Sequence, residues 1–425
     1  MSDNVKYLPP AAIPEGGAAN WAVDDARQWW AARTPGFFSP AVGGWVLAPL
    51  VLAGMILIGW NEPEGDGRGT GWANYWFVVL LFCLPLWFRF LPVAAMVATS
   101  VIAVAAGIAL NGAAEAGDTA GRVGACLVLA GCTYAFMGAL WRVGSRGKQR
   151  ELALAAAGKA QAPLPFTLPR AHLRRGLRLM LIGGGLCLAA AALLIWGLVQ
   201  DLGARRGEAP YDAVGQQILA MLLLIPGTPL LGRGVTARLA ARRLHSGPQP
   251  VLRVGVRARH SSHMWLYPDA RTTDAPALIA FRDRIGNSEH RTRTLLGGRE
   301  DRLRVKHHDI DKEREPFEAL LYGLPFEGAE IVLEYATNVG GSTIDAEVMA
   351  VQLVPERRYR PGSWTAGKTS HRLRLREEQA RRREREAARS SDSGGGGGGG
   401  GGCGSSSSCG SSCSSSCGGG CGGGD

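Results

Sequence analysis

Apolar positions run in six long blocks up to about residue 235, and beyond that they alternate with polar ones in short strips. The blocks cover roughly 41–60, 73–88, 91–110, 122–142, 179–199 and 213–232, and none holds an acidic or basic residue in its interior. A helix needs about 20 apolar residues to cross about 30 Å of hydrocarbon. One helix that is apolar all round is ordinary in a soluble core. Six of them, separated by polar breaks, predict an α-helical membrane domain of about six transmembrane helices.

Between residues 74 and 110 the only charge is Arg89. Arg89-Phe90-Leu91-Pro92 predicts a tight turn between two full helices, with Pro92 in a first helical turn where its missing N–H costs nothing. A re-entrant hairpin is the alternative, and both return the chain to the same side. Trp45, Trp60, Trp72, Trp76, Trp87, Trp141 and Trp196 fall near block ends, where an indole sits half buried at headgroup level.

Charge orients the domain. The segment 142–178 carries Arg142, Arg146, Lys148, Arg150, Lys159, Arg170, Arg174, Arg175 and Arg178 against a single Glu151. Arg233, Arg238, Arg242 and Arg243 follow the sixth block, and Lys6, Arg27 and Arg33 precede the first. The other loops hold most of the acids of the membrane half. Lys and Arg collect on the cytoplasmic side, so both termini are expected in the cytosol and the protein in the plasma membrane. Basic residues beside spans also account for much of the net charge of +11. The partner they imply is the lipid bilayer, not a specific nucleic acid.

The first 40 residues are polar and hold no apolar h-region, so no cleavable signal peptide is expected. Within them, Trp21, Val23, Trp29 and Trp30 fall in a helical stretch over 21–33 that reads as an interfacial helix or a solvent-exposed one. Domain limits follow from these patterns: an N-terminal segment over 1–40, helices over 41–142, a basic loop over 143–177 and two helices over 178–233.

From 245 to 358 the period changes to two. Leu252, Val254 and Val256 alternate with Arg253 and Arg257, and Ile331, Leu333 and Tyr335 with Glu330 and Glu334. Met264-Trp265-Leu266-Tyr267 and Leu278-Ile279-Ala280-Phe281 are further strips, and Asn338–Ser342 reads as a hairpin turn. About seven strands predict a small all-β barrel or sandwich. A helix over 316–324 would make it α+β instead. Residues 366–390 predict a charged helix held by i,i+4 pairs. Residues 391–425 are almost all Ser, Gly and Cys, a composition that cannot bury apolar area and predicts disorder.

Candidate chemistry is sparse. His260 and His263 have an H-x-x-H spacing that converges on a turn but not on a strand. His307, His308 and Asp309 supply zinc-type ligands in a very polar stretch that reads as an exposed loop. Cys403, Cys409, Cys413, Cys417 and Cys421 recur in the tail, four residues apart after the first interval. That is a weaker metal signal than paired C-x-x-C. The readings for the tail are a soft-metal trap, a thiol sensor or a low-complexity extension. No nucleophile elbow, Ser-His-Asp spacing or phosphate-cradling loop is present, so neither enzyme activity nor a cofactor is expected. Interiors without ionisable residues speak against a pump. Pro226-Gly227-Thr228-Pro229, expected to bend or break the sixth helix, keeps a transporter or channel role as an alternative. The leading expectation is a non-enzymatic anchor whose cytosolic β domain binds a protein partner or ligand.

The strip Glu318-Ala-Leu-Leu-Tyr-Gly-Leu-Pro-Phe-Glu-Gly-Ala-Glu, the Ala/Gly/Arg-rich membrane half and the Gly/Ser/Cys tail together resemble uncharacterised multi-pass membrane proteins of high-GC Gram-positive bacteria. The resemblance spans most of the chain and implies the same architecture. It brings no activity and no residue roles.

Overall fold

The computed structural model describes residues 8, 10–59, 72–203, 211–259, 261–270, 277–286, 294–295, 317–339, 343–354 and 379–386. The chain divides into two units, Met1–Leu373 and Arg374–Asp425. In the second, residues 379–386 are helical, and Arg382 pairs with Glu386 at 3.3 Å, four residues on. The tail over 391–425 lies outside the described residues.

The first unit begins with a short strand β1 (Ala19–Asn20) and a helix α1 (Val23–Ala31). Six apolar helices follow: α2 (Pro40–Ile58), α3 (Trp72–Phe90), α4 (Pro92–Glu115), α5 (Thr119–Ala157), α6 (Leu177–Gly203) and α7 (Val214–Leu244). Five of them, all but α3, are long and apolar enough to cross a membrane; α3 counts as a shorter apolar run over Tyr75–Phe90. The chain is a membrane-spanning protein, with a helix count close to the expected six.

Local chemistry starts these helices. Pro40 and Pro92 open α2 and α4, and the Ser39 hydroxyl and Asp118 carboxylate accept N–H bonds at the starts of α2 and α5. One side of the bundle packs Leu47, Val51, Leu84, Phe88, Ile102 and Val128 against each other. Outward, Val93, Val97, Val104 and Ile108 on α4 and Leu181, Leu188 and Ile195 on α6 are exposed, which suits lipid-facing surface.

Two helices depart from expectation. Helix α5 has 39 residues, about 58 Å at 1.5 Å per residue, and so runs far past a 30 Å core. The first part of the expected basic loop is therefore helix. Helix α7 stays continuous through Pro226 and Pro229 and is not broken there. Thr228 donates to the Leu224 carbonyl at 2.9 Å and accepts from Trp87 Nε1 of α3 at 2.8 Å. Neighbouring side chains of this kind let a membrane helix tolerate proline.

Helices α6 and α7 touch through small residues. A Cβ on Gly183 would come within 2.3 Å of the Leu231 nitrogen and 2.8 Å of the Gly227 carbonyl oxygen. Gly183→Leu should therefore wedge the pair apart, at a cost of about 1–3 kcal/mol. Thermal unfolding of the detergent-solubilised protein should show the loss. Gly185→Ala, where nothing lies within 4 Å, should not. Equal stability of the two variants would refute the close packing.

After α5 comes a short strand β2 (Gln161–Ala162), and after α7 the barrel strands β3 (Gln249–Arg259), β4 (Ser261–Tyr267), β5 (Ile279–Gly286), β6 (Thr294–Leu295), β7 (Phe317–Tyr322), β8 (Glu330–Val339) and β9 (Thr343–Val354). Strand β3 pairs with β4, β4 with β5, β5 with β9, β9 with β8, β8 with β7, and β7 returns to β3. All six pairings are antiparallel, so the sheet closes into a barrel. Closure leaves no free edge along this circuit. Short β1, β2 and β6 add to β3, β3 and β8.

The period-two pattern falls where expected. Leu252, Val254, Val256, Met264, Leu266, Phe281, Ile331, Leu333 and Tyr335 line the interior. Within the stretch where a helix is held open above, Phe317–Tyr322 is a strand. Phe317, Ala319 and Leu321 face the interior, while Leu320 and Tyr322 are buried on the other face with Leu244 and Leu168. A strand covered on both faces loses its alternation and resembles a buried helix in sequence.

The N-terminal segment also differs from expectation. Trp21, Ala26 and Trp29 belong to the barrel core, together with Ala153 and Ala157 from the end of α5. Trp21 and Trp29 meet edge to face at 5.8 Å. The segment is thus neither a lipid-facing nor a free solvated helix, because its indoles find the barrel interior instead. The barrel is consequently built from three stretches of chain, with strands β3–β5 and β7–β9 supplying its wall.

Candidate functional site

The hairpin between β7 and β8 is the place where barrel and helices join. Gly323 and Gly328 have φ of +104° and +84°, which side chains strain to adopt, and they turn the chain at either end of Leu324–Glu327. At its tip Glu327 meets Arg142 at 2.9 Å and Arg146 at 3.2 Å. Its backbone N–H donates to Gln149 Oε1 at 3.1 Å. Arg142, Arg146 and Gln149 lie four and three residues apart, which places them on one face of α5.

Arg142 does a second job. It donates to the carbonyls of Phe88 and Arg89, the last turn of α3, with its side chain only 1% exposed. A cation there meets the negative end of the helix dipole. Trp29 Nε1 donates to the Pro325 carbonyl at 2.9 Å, so α1 grips the same hairpin.

Three residues past Glu327, Glu330 opens β8 and forms the second pole. Arg175 Nε lies 2.9 Å from its carboxylate and His172 Nε2 3.3 Å. The other nitrogen of His172, Nδ1, faces His245 Nε2 at 3.1 Å. His172 sits in the 3-10 turn Arg170–Arg174 ahead of α6, and His245 caps α7. The side chains of His172 and Glu330 are fully buried, while His245 is exposed. Two carboxylates of one hairpin are thereby held, one by α5 and the other by the turn that leads into α6, with His245 at the end of α7 behind His172.

The titration of these groups has a direction. Burial alone would raise the Glu327 carboxyl, but Arg142, Arg146 and their hydrogen bonds outweigh it and hold the group below the ordinary 4.5. Partial burial of the ring, and then the neighbouring His172, lower His245 from the ordinary 6.5. Both folded pKa values lie below their unfolded ones. Each contribution is therefore complete above the unfolded pKa and is lost as pH falls through the folded one. The junction should weaken on acidification, first below about pH 6.5 through His245 and further below about 4.5 through Glu327. A melting temperature that falls from about pH 7.5 to 5.5, with the fall reduced in His245→Gln, is the expected record. An unchanged slope in that variant would remove His245 from the account.

A cavity of about 290 Å³ opens between the start of α1, β3 and β7, lined by none of the junction residues. Trp21, Val23, Val254 and Pro268 give it apolar walls, and Arg253, Asp269 and Glu318 give it charge. Arg253 and Glu318 pair across it at 3.6 Å.

The residues singled out from sequence are elsewhere. His260, His307, His308, Asp309, Cys403, Cys409, Cys413, Cys417 and Cys421 lie outside the described residues. His263 is in β4, but its side chain is not among those described. Among the described residues no group of three or more His, Cys, Asp or Glu is gathered to hold a metal ion. The junction residues Glu327, Glu330, Gln149, His172 and His245 were not anticipated. The strip Glu318–Glu330 that carried the resemblance contains both carboxylates, and the spacing of Arg142, Arg146 and Gln149 is the signal that could have matched them.

No known family model, curated protein or solved structure matches the chain. The bacterial grouping suggested by the resemblance gains no support from these comparisons.

Proposed function

We propose that this is a non-enzymatic membrane protein that holds a β-barrel on the cytosolic side, where the barrel binds a protein partner or small ligand. The carrying observation is the junction of Glu327 with α5 and of Glu330 with the turn that leads into α6. A module on a flexible tether would need no buried charge network. One fixed to a membrane helix and to the turn that enters another can pass a binding event to them, or take one from them. The cavity beside Arg253 and Glu318 is the natural place for a small ligand.

The cytosolic placement follows the basic residues, which gather at the barrel end of the helices. Arg142, Arg146, Arg175, Arg242 and Arg243 are all there. The carrier alternative would need a site at Pro226–Pro229. There α7 remains helical and Thr228 is engaged with Leu224 and Trp87, which favours the binding reading.

Two measurements test the proposal. An impermeant maleimide, added to intact cells after an impermeant reductant, should leave the tail cysteines unlabelled until lysis, with a tail-deleted chain as control. Labelling before lysis would reverse the orientation. Full-length protein cross-linked in cells should retain one stoichiometric partner or small molecule. That retention should fall at least tenfold in Arg253→Glu, on the scale of a lost charged pair in an interface. Stoichiometric retention of nothing across growth conditions would overturn the binding role.

A further inference from the structure

We propose that Arg89 and Arg233 form a binding site for the phosphate of an anionic lipid headgroup. The two arginines come from different helices and lie against one ring. Arg233 Cζ, on α7, lies 4.6 Å from the centre of Phe90, and Arg89 Cζ, in the last turn of α3, lies 5.3 Å from it. The pair is built into the packing. A Cβ on Gly232 would come within 2.4 Å of a Leu91 methyl, so the glycine lets α7 close on the turn between α3 and α4. That contact delivers the next residue, Arg233, to the side of Phe90. Pro92, first in α4, fixes the chain beyond the turn.

Charge makes the pair unusual in its surroundings. Among the described residues, the two buried carboxylates of the β7–β8 hairpin are taken by other arginines. Glu327 serves Arg142 and Arg146, and Glu330 serves Arg175. No carboxylate pairs with Arg89 or Arg233 among the described residues, and Arg89 is exposed. Two cations held beside one ring repel each other, and an anion shared between them relieves the repulsion. Guanidinium forks match phosphate oxygens bidentately.

Position supplies the source of the phosphate. Arg89 lies in the last turn of α3 and Arg233 just past the apolar run of α7, the depth where headgroups lie. Exposed Val93 and Val97 start an aliphatic face on α4 just past Phe90, along which an acyl chain can lie. A free phosphate has no use for that face. The inference rests on the membrane-spanning architecture alone. It needs neither the cytosolic orientation nor the binding role of the barrel, so its failure would leave both standing.

The test uses the full chain in detergent, titrated with phosphatidylglycerol or phosphatidylcholine and read by native mass spectrometry. The wild type should prefer phosphatidylglycerol by on the order of tenfold or more, as expected for two arginines at a membrane surface. The double variant Arg89→Gln, Arg233→Gln should lose most of that preference while melting as the wild type does without added lipid. A control with Arg170→Gln and Arg174→Gln, which removes equal charge elsewhere, should keep it. Inorganic phosphate and glycerol phosphate at millimolar concentration should not displace the lipid. Full displacement by either would assign the site to a soluble phosphate and overturn the lipid source. No preference in the wild type, or equal loss in the double variant and the control, would overturn the site itself.

Discussion

Glu327→Ala should loosen the barrel from the helices and cost about 3–5 kcal/mol, the penalty for leaving a buried charge without its partner. The charge left behind is Arg142, whose side chain is 1% exposed and whose remaining bonds run only to backbone carbonyls. Arg146, at 27% exposure, can turn to water and should contribute little to the loss. The position should tolerate Glu327→Gln better, because an amide oxygen still accepts from Arg142. Removing both charges together, as Glu327→Gln with Arg142→Met, should recover part of the stability, since replacing a buried pair outright is often near neutral. Thermal unfolding in detergent reads the energy. Limited proteolysis of the segment between α5 and α6 reads the loosening. Wild-type melting and protease resistance in Glu327→Ala would show that the network does not hold the barrel.

Trp29→Ala should be as damaging, by about 3–5 kcal/mol, through a different cause. Its indole is 1% exposed inside the barrel core and its N–H satisfies Pro325 in the hinge of the same hairpin. Truncation leaves a cavity and an unpaired buried carbonyl together. The adjacent Trp30, partly buried with Arg33 stacked over it at 3.7 Å, should cost about 1 kcal/mol or less when removed. Folded yield and tryptophan fluorescence of the two variants separate the cases. If Trp30→Ala were the damaging change and Trp29→Ala harmless, α1 would present its other face and the place of Trp29 in the barrel core would be wrong.

Both experiments probe features that sequence reading passed over, and the reasons are physical. Trp29 is an amphipathic side chain in a helix with two acids in its first turn, and Trp21 lies just ahead of that helix, the same profile an interfacial helix shows. Only the open end of a barrel formed more than 200 residues later decides that they are core. Arg142 looks in sequence like one of many basic residues beside a span. Its pairing with Glu327 joins positions 185 apart. Strand β7 was ambiguous because both of its faces are covered, one by the barrel interior and one by Leu168 and Leu244.

The chain by itself determined the membrane helices, because hydrocarbon thickness and apolar run length are local quantities. It also determined most barrel strands, where one face stays polar and period two survives. Long-range closure was left to the tertiary structure. That closure sets which end of which helix meets the hairpin, which indoles fill the barrel and which arginines receive a carboxylate. A buried charge is expensive alone and tolerable when paired, and its partner can come from any part of the chain. No local pattern therefore records it. The same closure leaves Arg89 and Arg233 beside one ring without a carboxylate among the described residues, a distinction invisible among the 47 Lys and Arg of the sequence.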